Sequence, residues 1–190
     1  VPAAKRIDTV VNTHGNGDHC YGNALLASSE IIGTQGCVED LAESPPSQIN
    51  LLLRAGRIVD SLGAGGRLLG KVLSRFGINR VAFLSEAVEL ALPAFEHFDF
   101  SRIEPVPPNR VFEGELDLRV GDKEVQLLEL GPAHTKGDAV VYVPKDKVLF
   151  TGDLLFKDSH PLVWEGPVSN WVGALQRLLD LDIDTVVPGH

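Results

Sequence analysis

Residues 13–19, with the sequence Thr-His-Gly-Asn-Gly-Asp-His, constrain this chain most, because they concentrate metal-binding side chains directly after a short β-branched run. Two imidazoles, His14 and His19, and the carboxylate of Asp18 lie within six consecutive positions. Such side chains suit zinc, iron or manganese, whereas Asn16 offers only a neutral amide oxygen. For these residues alone, the alternative is a polar turn in which Asp18 and Asn16 cap a following helix.

Three later motifs each place one ligand-type side chain at the end of an apolar run. They contain His134 in Gly-Pro-Ala-His-Thr-Lys-Gly-Asp, Asp153 in Phe-Thr-Gly-Asp-Leu-Leu-Phe, and His190 in Val-Val-Pro-Gly-His. Four of the six histidines lie in the four motifs, which random placement would rarely produce. The grouping therefore favours a metal site over a set of unrelated polar turns.

In order and spacing, the four motifs resemble those of the metallo-β-lactamase-fold metallohydrolase superfamily. That family has His-x-His-x-Asp-His, then a lone His, an Asp after Gly, and a final Gly-His. The resemblance extends over almost the whole chain and departs at Asn16, which stands where the family has its second histidine. It implies an α+β fold, a four-layer αβ/βα sandwich with the metal site at one edge of its two sheets.

The resemblance also implies two metal positions that share a bridging carboxylate. The residues carried over are His14 and His134 for the first position, Asp18, His19 and His190 for the second, and Asp153 as the bridge. Asn16 stands at the third ligand of the first position and is a weak or lost ligand, because a neutral amide oxygen binds zinc poorly. We expect one or two zinc ions per chain, with the second position filling first, and iron as an alternative metal.

A metal ion in such a site lowers the pKa of bound water and supplies hydroxide for attack on a carbonyl. We therefore predict a zinc-dependent hydrolase in which Asp18 is the catalytic residue that orients the metal-bound hydroxide. True metallo-β-lactamases commonly carry Cys or Ser at the position of Asp153, which makes this chain more similar to the thioesterase and lactonase branches. The expected substrate is a small-molecule carboxylic ester, thioester or lactone.

Three other functions stay open. The first is a β-lactam hydrolase. The second is a mononuclear non-haem iron oxygenase similar to the persulfide dioxygenases, since His14, His134 and Asp153 form a two-histidine, one-carboxylate set. The third is an inactive protein that keeps the fold for partner contact, for which we would expect more than one lost ligand. Metal content separates these classes, because zinc favours hydrolysis, iron favours oxygenation, and a stable metal-free protein favours the inactive form.

Composition limits the partners and the location. The net charge of -9 disfavours a nucleic acid partner, and no apolar run approaches the roughly 18 residues that cross a membrane. The two cysteines, Cys20 and Cys37, form neither a disulfide framework nor a Cys-x-x-Cys site. They favour reduced thiols in a cytoplasmic protein. The sequence leaves the oligomeric state open.

A chain of 190 residues with 44% apolar residues predicts one domain over residues 1–190. The resemblance implies further chain at both ends, so we expect this domain to be trimmed there. Between residues 37 and 98, apolar residues recur at helical spacing. This predicts a helical insertion that either packs on the sandwich or forms a lid over the substrate.

Local patterns predict the remaining elements. Strands are expected at residues 7–12, 31–32, 116–120, 125–130, 139–143, 147–150 and 184–187, and a short helix at 23–28. From Arg110 onward the period of two indicates antiparallel sheet. Ser169 is the expected N-cap of a helix that runs through Leu179.

Two residues after the Asp153 motif are candidates for the substrate pocket. Lys157 would contact a substrate carboxylate, although an exposed lysine is the commoner role, and His160 would line the entrance. Asp138 is expected either to hold His134 from behind or to serve as a turn residue. Trp164 is expected in the core or in the pocket wall.

Overall fold

A computed structural model describes residues 6–61 and 98–190 of the chain. The chain divides into two compact units. The first contains Val1–Ser44 and Pro105–His190, and the second is Pro45–Glu104. All four sequence motifs lie in the first unit.

The first sheet is parallel and has three strands. Its order is β1 Thr9–Val11, β2 Glu30–Thr34 and β3 Arg110–Phe112. The positions of β1 and β2 agree with the predicted strands. The expectation of antiparallel sheet from Arg110 onward is wrong for β3, which pairs in parallel with β2 and sets Arg110 beside Ile32.

The second sheet has five strands. Its order is β4 Glu115–Val120, β5 Lys123–Glu129, β6 Ala139–Val143, β7 Val148–Gly152 and β8 Thr185–Pro188. The first four strands are antiparallel, as predicted, and β8 pairs in parallel with β7. Gly121, with φ of 62°, turns the chain between β4 and β5, because glycine adopts positive φ without steric cost.

Both units contain helices, and those of the first unit cover its two sheets. Within the described residues the helices are α1 Gly17–Cys20, α2 Gln35–Glu43, α3 Pro46–Ser61 and α4 Val168–Leu179, with 3-10 helices at Tyr21–Leu26, Phe100–Arg102 and Pro144–Asp146. The N-cap of α4 is Pro167 and not Ser169. Ser169 lies inside the first turn, because the extended backbone ends at Pro167 and the helix starts directly after it.

Three buried clusters show the order of the layers. Ile32 and Phe112 of the first sheet meet Leu127 and Ala139 of the second. The other face of the second sheet packs on α4, where Val140, Tyr142 and Leu149 meet Trp171 and Leu178. On the outer side of the first sheet, Cys20 packs with Cys37 and Leu41 of α2. The sequence of layers is helix, sheet, sheet, helix, which confirms the predicted α+β, four-layer αβ/βα sandwich.

The predicted helical insertion, residues 37–98, is only partly covered. Its first residues belong to α2, and Cys37 packs inside the first unit. The second unit begins at Pro45 and contains α3. Residues 62–97 lie outside the described residues, so the extent and role of the insertion stay predictions. Among the described residues, the helices are too short or too polar to cross a membrane.

Candidate metal centre

The loop that follows β1 is fixed from both sides. Nδ2 of Asn12 donates to the carbonyl of His19 at 3.2 Å, and Asn12 also exchanges side-chain hydrogen bonds with buried Asn23. Sγ of Cys20 donates to the carbonyl of His14 at 2.9 Å. The buried cysteine therefore holds the backbone of a candidate ligand.

Gly15 lets this loop lie directly on α2. A Cβ atom at this position would lie 2.5 Å from Cβ of Asp40 and 2.6 Å from the carbonyl of Cys37. Any larger residue would push the loop off the helix. The glycines of the motif thus serve close packing as well as backbone freedom.

The loop that carries His134 is organised by Asp138. Its carboxylate accepts the backbone N–H of Thr135 at 2.9 Å and the Thr135 hydroxyl at 2.8 Å. The same loop is joined to α2, since Thr34 donates to the carbonyl of Gly137 at 2.7 Å and the Lys136 N–H donates to Asp40 at 3.0 Å. Asp138 acts on His134 through the turn rather than by a hydrogen bond to the ring.

Asp153 and His190 follow the parallel strands β7 and β8, so both emerge at the same edge of the second sheet. The Gly189 N–H donates to the carbonyl of Gly152 at 2.9 Å. Gly152 has φ of 51°, and Cβ of Thr13 would lie 2.8 Å from a Cβ atom placed there. This contact brings the first motif against the end of β7.

Buried Asp153 lies at the centre of the cluster. Its Oδ1 is 3.2 Å from Nε2 of His19, and its Oδ2 is 3.3 Å from Nε2 of His134 and 3.4 Å from Nε2 of His190. Nε2 of His14 is 3.8 Å from Oδ2. One carboxylate therefore faces four imidazoles, which is the arrangement that a bridging ligand requires, although the individual ligand roles stay predictions.

Asp18 lies at the exposed side of the cluster. Its Oδ2 is 3.2 Å from Nε2 of His190 and 3.5 Å from Nε2 of His19. The ring of Phe156 stacks on His190, with centroids 5.6 Å apart and an interplanar angle of 13°. Sequence reasoning did not identify Phe156, although it lies in the Asp153 motif.

Asn16 contacts His134, but through the nitrogen end of its amide. Its Nδ2 lies 3.0 Å from Nε2 of His134. The other ring nitrogen, Nδ1, is 2.7 Å from the carbonyl oxygen of Leu162. Because a carbonyl oxygen only accepts, Nδ1 carries the ring proton, and Nε2 accepts a hydrogen bond from Asn16.

The electrostatic environment separates the two histidines of the first motif. Burial, together with the neighbouring His19, lowers the pKa of His14 to about 3. Burial also acts to lower the pKa of His19, but the carboxylates of Asp153 and Asp18 outweigh it and raise that pKa to about 10. The contact with His19 lowers the pKa of Asp18 to about 2. Without an ion, His14 is neutral and His19 is the cation that the carboxylates attract.

The donor set fits a metal ion. Two overlapping groups of ligand atoms each lie within 4.8 Å of one another: His14, His19 and Asp153, and Asp18, His19 and His190. Among the described residues, Nε2 of His14 and Oδ1 of Asp153 are buried without a hydrogen-bond partner. Buried polar atoms are normally satisfied, so Nε2 of His14 indicates a missing cation, whereas Oδ1 of Asp153 has the contact with Nε2 of His19 at 3.2 Å. The six predicted ligand residues therefore converge on one place.

The predicted pocket residues lie near the protein surface. Lys157 is exposed, and its backbone N–H donates to the carbonyl of His190 at 2.8 Å. His160 is exposed, and Nδ1 of its ring lies 2.7 Å from the carbonyl of Pro161. These positions do not show a substrate contact, and the pocket roles stay predictions.

The loop at residues 162–166 also borders the site, which sequence reasoning did not foresee. The N–H groups of Trp164 and Glu165 donate to the carbonyl of His134 at 2.9 and 3.3 Å, and Gly166 donates to Ala133 at 3.0 Å. The side chain of Trp164 is 66% exposed, so of the two expected positions the core is wrong and the pocket wall stays a prediction. The only available signal was the apolar triplet Leu-Val-Trp.

The chain resembles known proteins in sequence and in fold. The sequence model of a family described as the metallo-beta-lactamase superfamily matches residues 3–190. A solved structure, the metallo-beta-lactamase from Pontibacter korlensis, superposes with a TM-score of 0.54 and 15% sequence identity. The match covers 96% of this chain and 60% of that chain. At this identity, the likeness shows the fold alone.

Two curated relatives resemble parts of the chain. The first is the 2,4-dinitroanisole O-demethylase subunit alpha of Nocardioides sp. (strain JS1661), 32% identical over 87 residues, which are 45% of this chain and 26% of the relative. The second is the acyl-coenzyme A thioesterase MBLAC2 of Bos taurus, 28% identical over 112 residues, which are 56% of this chain and 39% of the relative. The matched part thus spans well under half the length of either relative.

Proposed function

The chain belongs to the metallo-beta-lactamase superfamily, and on that premise we propose that it is a zinc-dependent hydrolase of acyl thioesters. The membership confirms the family resemblance of the four motifs. The observation that carries the proposal is the convergence of four imidazoles on the buried carboxylate of Asp153, with Nε2 of His14 buried and without a hydrogen-bond partner among the described residues.

The residues that would hold the ion are His14, Asp18, His19, His134, Asp153 and His190, with Asn16 as a weak or lost ligand. Imidazole and carboxylate ligands without thiolate suit zinc, and also iron or manganese. When bound, such an ion supplies hydroxide at neutral pH and polarises the substrate carbonyl.

In this proposal, Asp18 orients the attacking group. Its low pKa keeps the carboxylate ionised at neutral pH, so it accepts hydrogen bonds throughout the physiological range. It is exposed, whereas Asp153 is buried. The substrate and the attacking water would therefore approach from the solvent-exposed side, where Asp18 and His190 lie. Asp153 would position the histidines from the buried side of the cluster.

The loop at residues 162–166 supports an apolar acyl group in the substrate. Leu162, Val163 and Trp164 are 50%, 48% and 66% exposed, while the backbone of the loop is hydrogen-bonded to His134. Exposed apolar side chains beside a metal cluster gain free energy when an acyl chain covers them. The curated relative named as an acyl-coenzyme A thioesterase agrees with such a substrate.

The other candidate functions have weaker support. The likeness to metallo-beta-lactamases is one of fold, at 15% identity. An iron oxygenase would bind its metal through His14, His134 and Asp153, a set that leaves Asp18, His19 and His190 without a role although they also contact the cluster. The relative named as an O-demethylase makes an aryl ether a useful comparison substrate.

The test is reconstitution followed by a substrate panel. The protein is stripped with a chelator and loaded separately with zinc, ferrous iron or manganese. Each form is assayed for hydrolysis of octanoyl and acetyl thioesters, an aryl ester, a lactone, a cephalosporin and an aryl methyl ether, and for oxygen consumption with a persulfide. We expect the highest kcat/KM for octanoyl thioester with zinc, and loss of this activity in Asp153→Asn but not in Asp117→Asn, an exposed aspartate on β4.

Several results would contradict the proposal. Hydrolysis that is fastest for the cephalosporin or the ether would replace the thioester as the substrate. Oxygen consumption with a persulfide by the iron form, without hydrolysis by the zinc form, would assign the chain to the oxygenases. Lack of any turnover in a metal-loaded protein would favour the inactive class.

A further inference from the structure

Asn16 occupies the atom of His134 that a metal ion would need. Its amide nitrogen lies 3.0 Å from Nε2 of the ring. Nδ1 of the same ring donates to the carbonyl of Leu162 at 2.7 Å. Both nitrogens of this buried imidazole therefore have a hydrogen-bond partner, although Nε2 also lies 3.3 Å from Oδ2 of Asp153. A ligand bond from Nε2 would have to replace the contact with Asn16.

His14 and Asp153 are in the opposite condition. Nε2 of His14 and Oδ1 of Asp153 are buried and have no hydrogen-bond partner among residues 6–61 and 98–190. Nε2 of His19 lies 3.2 Å from that same Oδ1, and the ring centroids of His14 and His19 are 4.2 Å apart. A single cation between these three side chains would satisfy both buried atoms at once.

Asp18 and His190 form the competing set with His19. They are exposed, and they already contact each other, with Nε2 of His190 3.2 Å from Oδ2 of Asp18. Both sets need Nε2 of His19, which can bind only one ion. Each set gives up a contact of 3.2 Å, His19 to Asp153 in the buried set and His190 to Asp18 in the exposed set. Within the described part of the chain, only the buried set contains a buried ring nitrogen without a hydrogen-bond partner, Nε2 of His14, and the exposed set also gives up the hydration of its carboxylate.

We propose that the first metal ion is bound by Nε2 of His14, Nε2 of His19 and the carboxylate of Asp153, and that Asn16 holds His134 out of the ligand set. The inference rests on the proposed metal-dependent function and deepens it. It differs from the sequence prediction, in which the position formed by Asp18, His19 and His190 fills first. In this arrangement His134 is a positioning residue that anchors the loop at residues 162–166 beside the metal.

The ligand set can be read directly by NMR in the parent chain. Histidine labelled with an NMR-active nitrogen isotope is incorporated, and one equivalent of an NMR-active cadmium isotope replaces zinc. Cadmium-nitrogen coupling identifies each bound ring nitrogen. We expect coupling to His14 and His19 and none to His134 or His190. Coupling to His134, coupling to His190 without His14, or the absence of any histidine coupling would each overturn the inference.

Variants test the role of Asn16 separately. Asn16→His removes the hydrogen bond to Nε2 of His134 and supplies a further imidazole. We therefore expect coupling to His134 to appear and a second cadmium ion to bind. Zinc affinity, measured by competition with a chromophoric chelator, should fall in His14→Gln by more than the roughly 10- to 100-fold that loss of an outer partner costs. His134→Gln should stay at or within that range. Equal losses in the two variants would contradict the assignment.

The two proposals fail in different ways. If the chain is not a thioester hydrolase, the zinc-loaded protein does not hydrolyse the thioester, whatever its cadmium coupling pattern. If His134 belongs to the ligand set, the coupling appears even when the thioester is hydrolysed. The NMR measurement therefore judges the inference without reference to activity.

Discussion

Gly189 lies so close to Asp153 that a Cβ atom at this position would overlap Oδ1 of the carboxylate. It would also lie 2.8 Å from the carbonyl carbon of Gly152. Since this second contact is with the backbone, a side-chain rotation cannot remove the overlap. We expect Gly189→Ala to displace the Asp153 carboxylate and to weaken zinc binding by at least about tenfold, the lower limit for disturbed outer partners. A chelator competition titration measures this loss.

Gly173 provides the matched control. It lies within α4 and is exposed, and a Cβ atom there would meet nothing within 4 Å. Gly173→Ala is expected to raise the free energy of unfolding by about 0.5–1 kcal/mol, because alanine favours the helix, with zinc affinity unchanged. Parent-like zinc affinity in Gly189→Ala would show that this close approach does not position Asp153.

Zinc binding is expected to release a proton. The pKa of His19 is raised to about 10 in the metal-free site, so its ring is protonated at neutral pH and must lose that proton to bind. His14, with its pKa lowered to about 3, is already neutral. Affinity should therefore rise with pH by about tenfold per unit between neutrality and the pKa of His19.

Calorimetry at pH 7.5 in buffers of different ionisation enthalpy counts the protons released. A value near one agrees with a single protonated ligand. Proton uptake, or a pH-independent affinity over this range, would show that His19 is neutral before the metal binds.

Asp138 is expected to be a structural requirement of the His134 loop. Asp138→Ala leaves the buried N–H and hydroxyl of Thr135 without their acceptor, at a cost of about 3 kcal/mol in the free energy of unfolding. Urea denaturation measures the loss, and Asp117→Ala on exposed β4 should change stability by less than about 0.5 kcal/mol. Equal stability of the two variants would mean that water replaces the carboxylate.

Trp164 is expected to select for the length of the acyl chain. If octanoyl thioester covers part of its exposed side chain, Trp164→Ala should raise KM for that substrate by about fivefold, equivalent to about 1 kcal/mol. KM for acetyl thioester should not change. Leu25→Ala, at an apolar residue that is 89% exposed, is the control for general surface effects. An equal rise in KM for both thioesters would assign Trp164 to the structure of the loop.

Local sequence patterns located most strands but not their partners. Ala139–Val143 was predicted to the residue, because an apolar run ends there at a proline turn. The parallel pairing of Ile32 with Arg110 was missed. Such pairing depends on contacts between distant segments, and the three residues of β3 are too few to carry a periodic signal.

For the candidate site, the motifs predicted the residues that come together but not the orientation of Asn16. The motifs predicted which side chains converge, because ligand-type residues follow strands that end at a shared edge. The sequence treated Asn16 as an oxygen ligand, whereas the structure directs its nitrogen to His134, 118 residues further along the chain. That orientation depends on the ring tautomer, which the carbonyl of Leu162 sets, and no local spacing encodes this relationship.

The four hydrogen bonds between the loop at residues 162–166 and residues 133–134 also have a consequence for directed evolution. Insertions or deletions in this loop would displace the carbonyl of Leu162 that fixes the His134 tautomer. Variants with a changed loop length would therefore lose the ordered position of His134 as well as the original substrate specificity. Libraries that keep the backbone and vary only the side chains of Leu162, Val163 and Trp164 avoid this linkage. New substrate ranges should therefore arise by substitution at these three positions rather than by loop exchange.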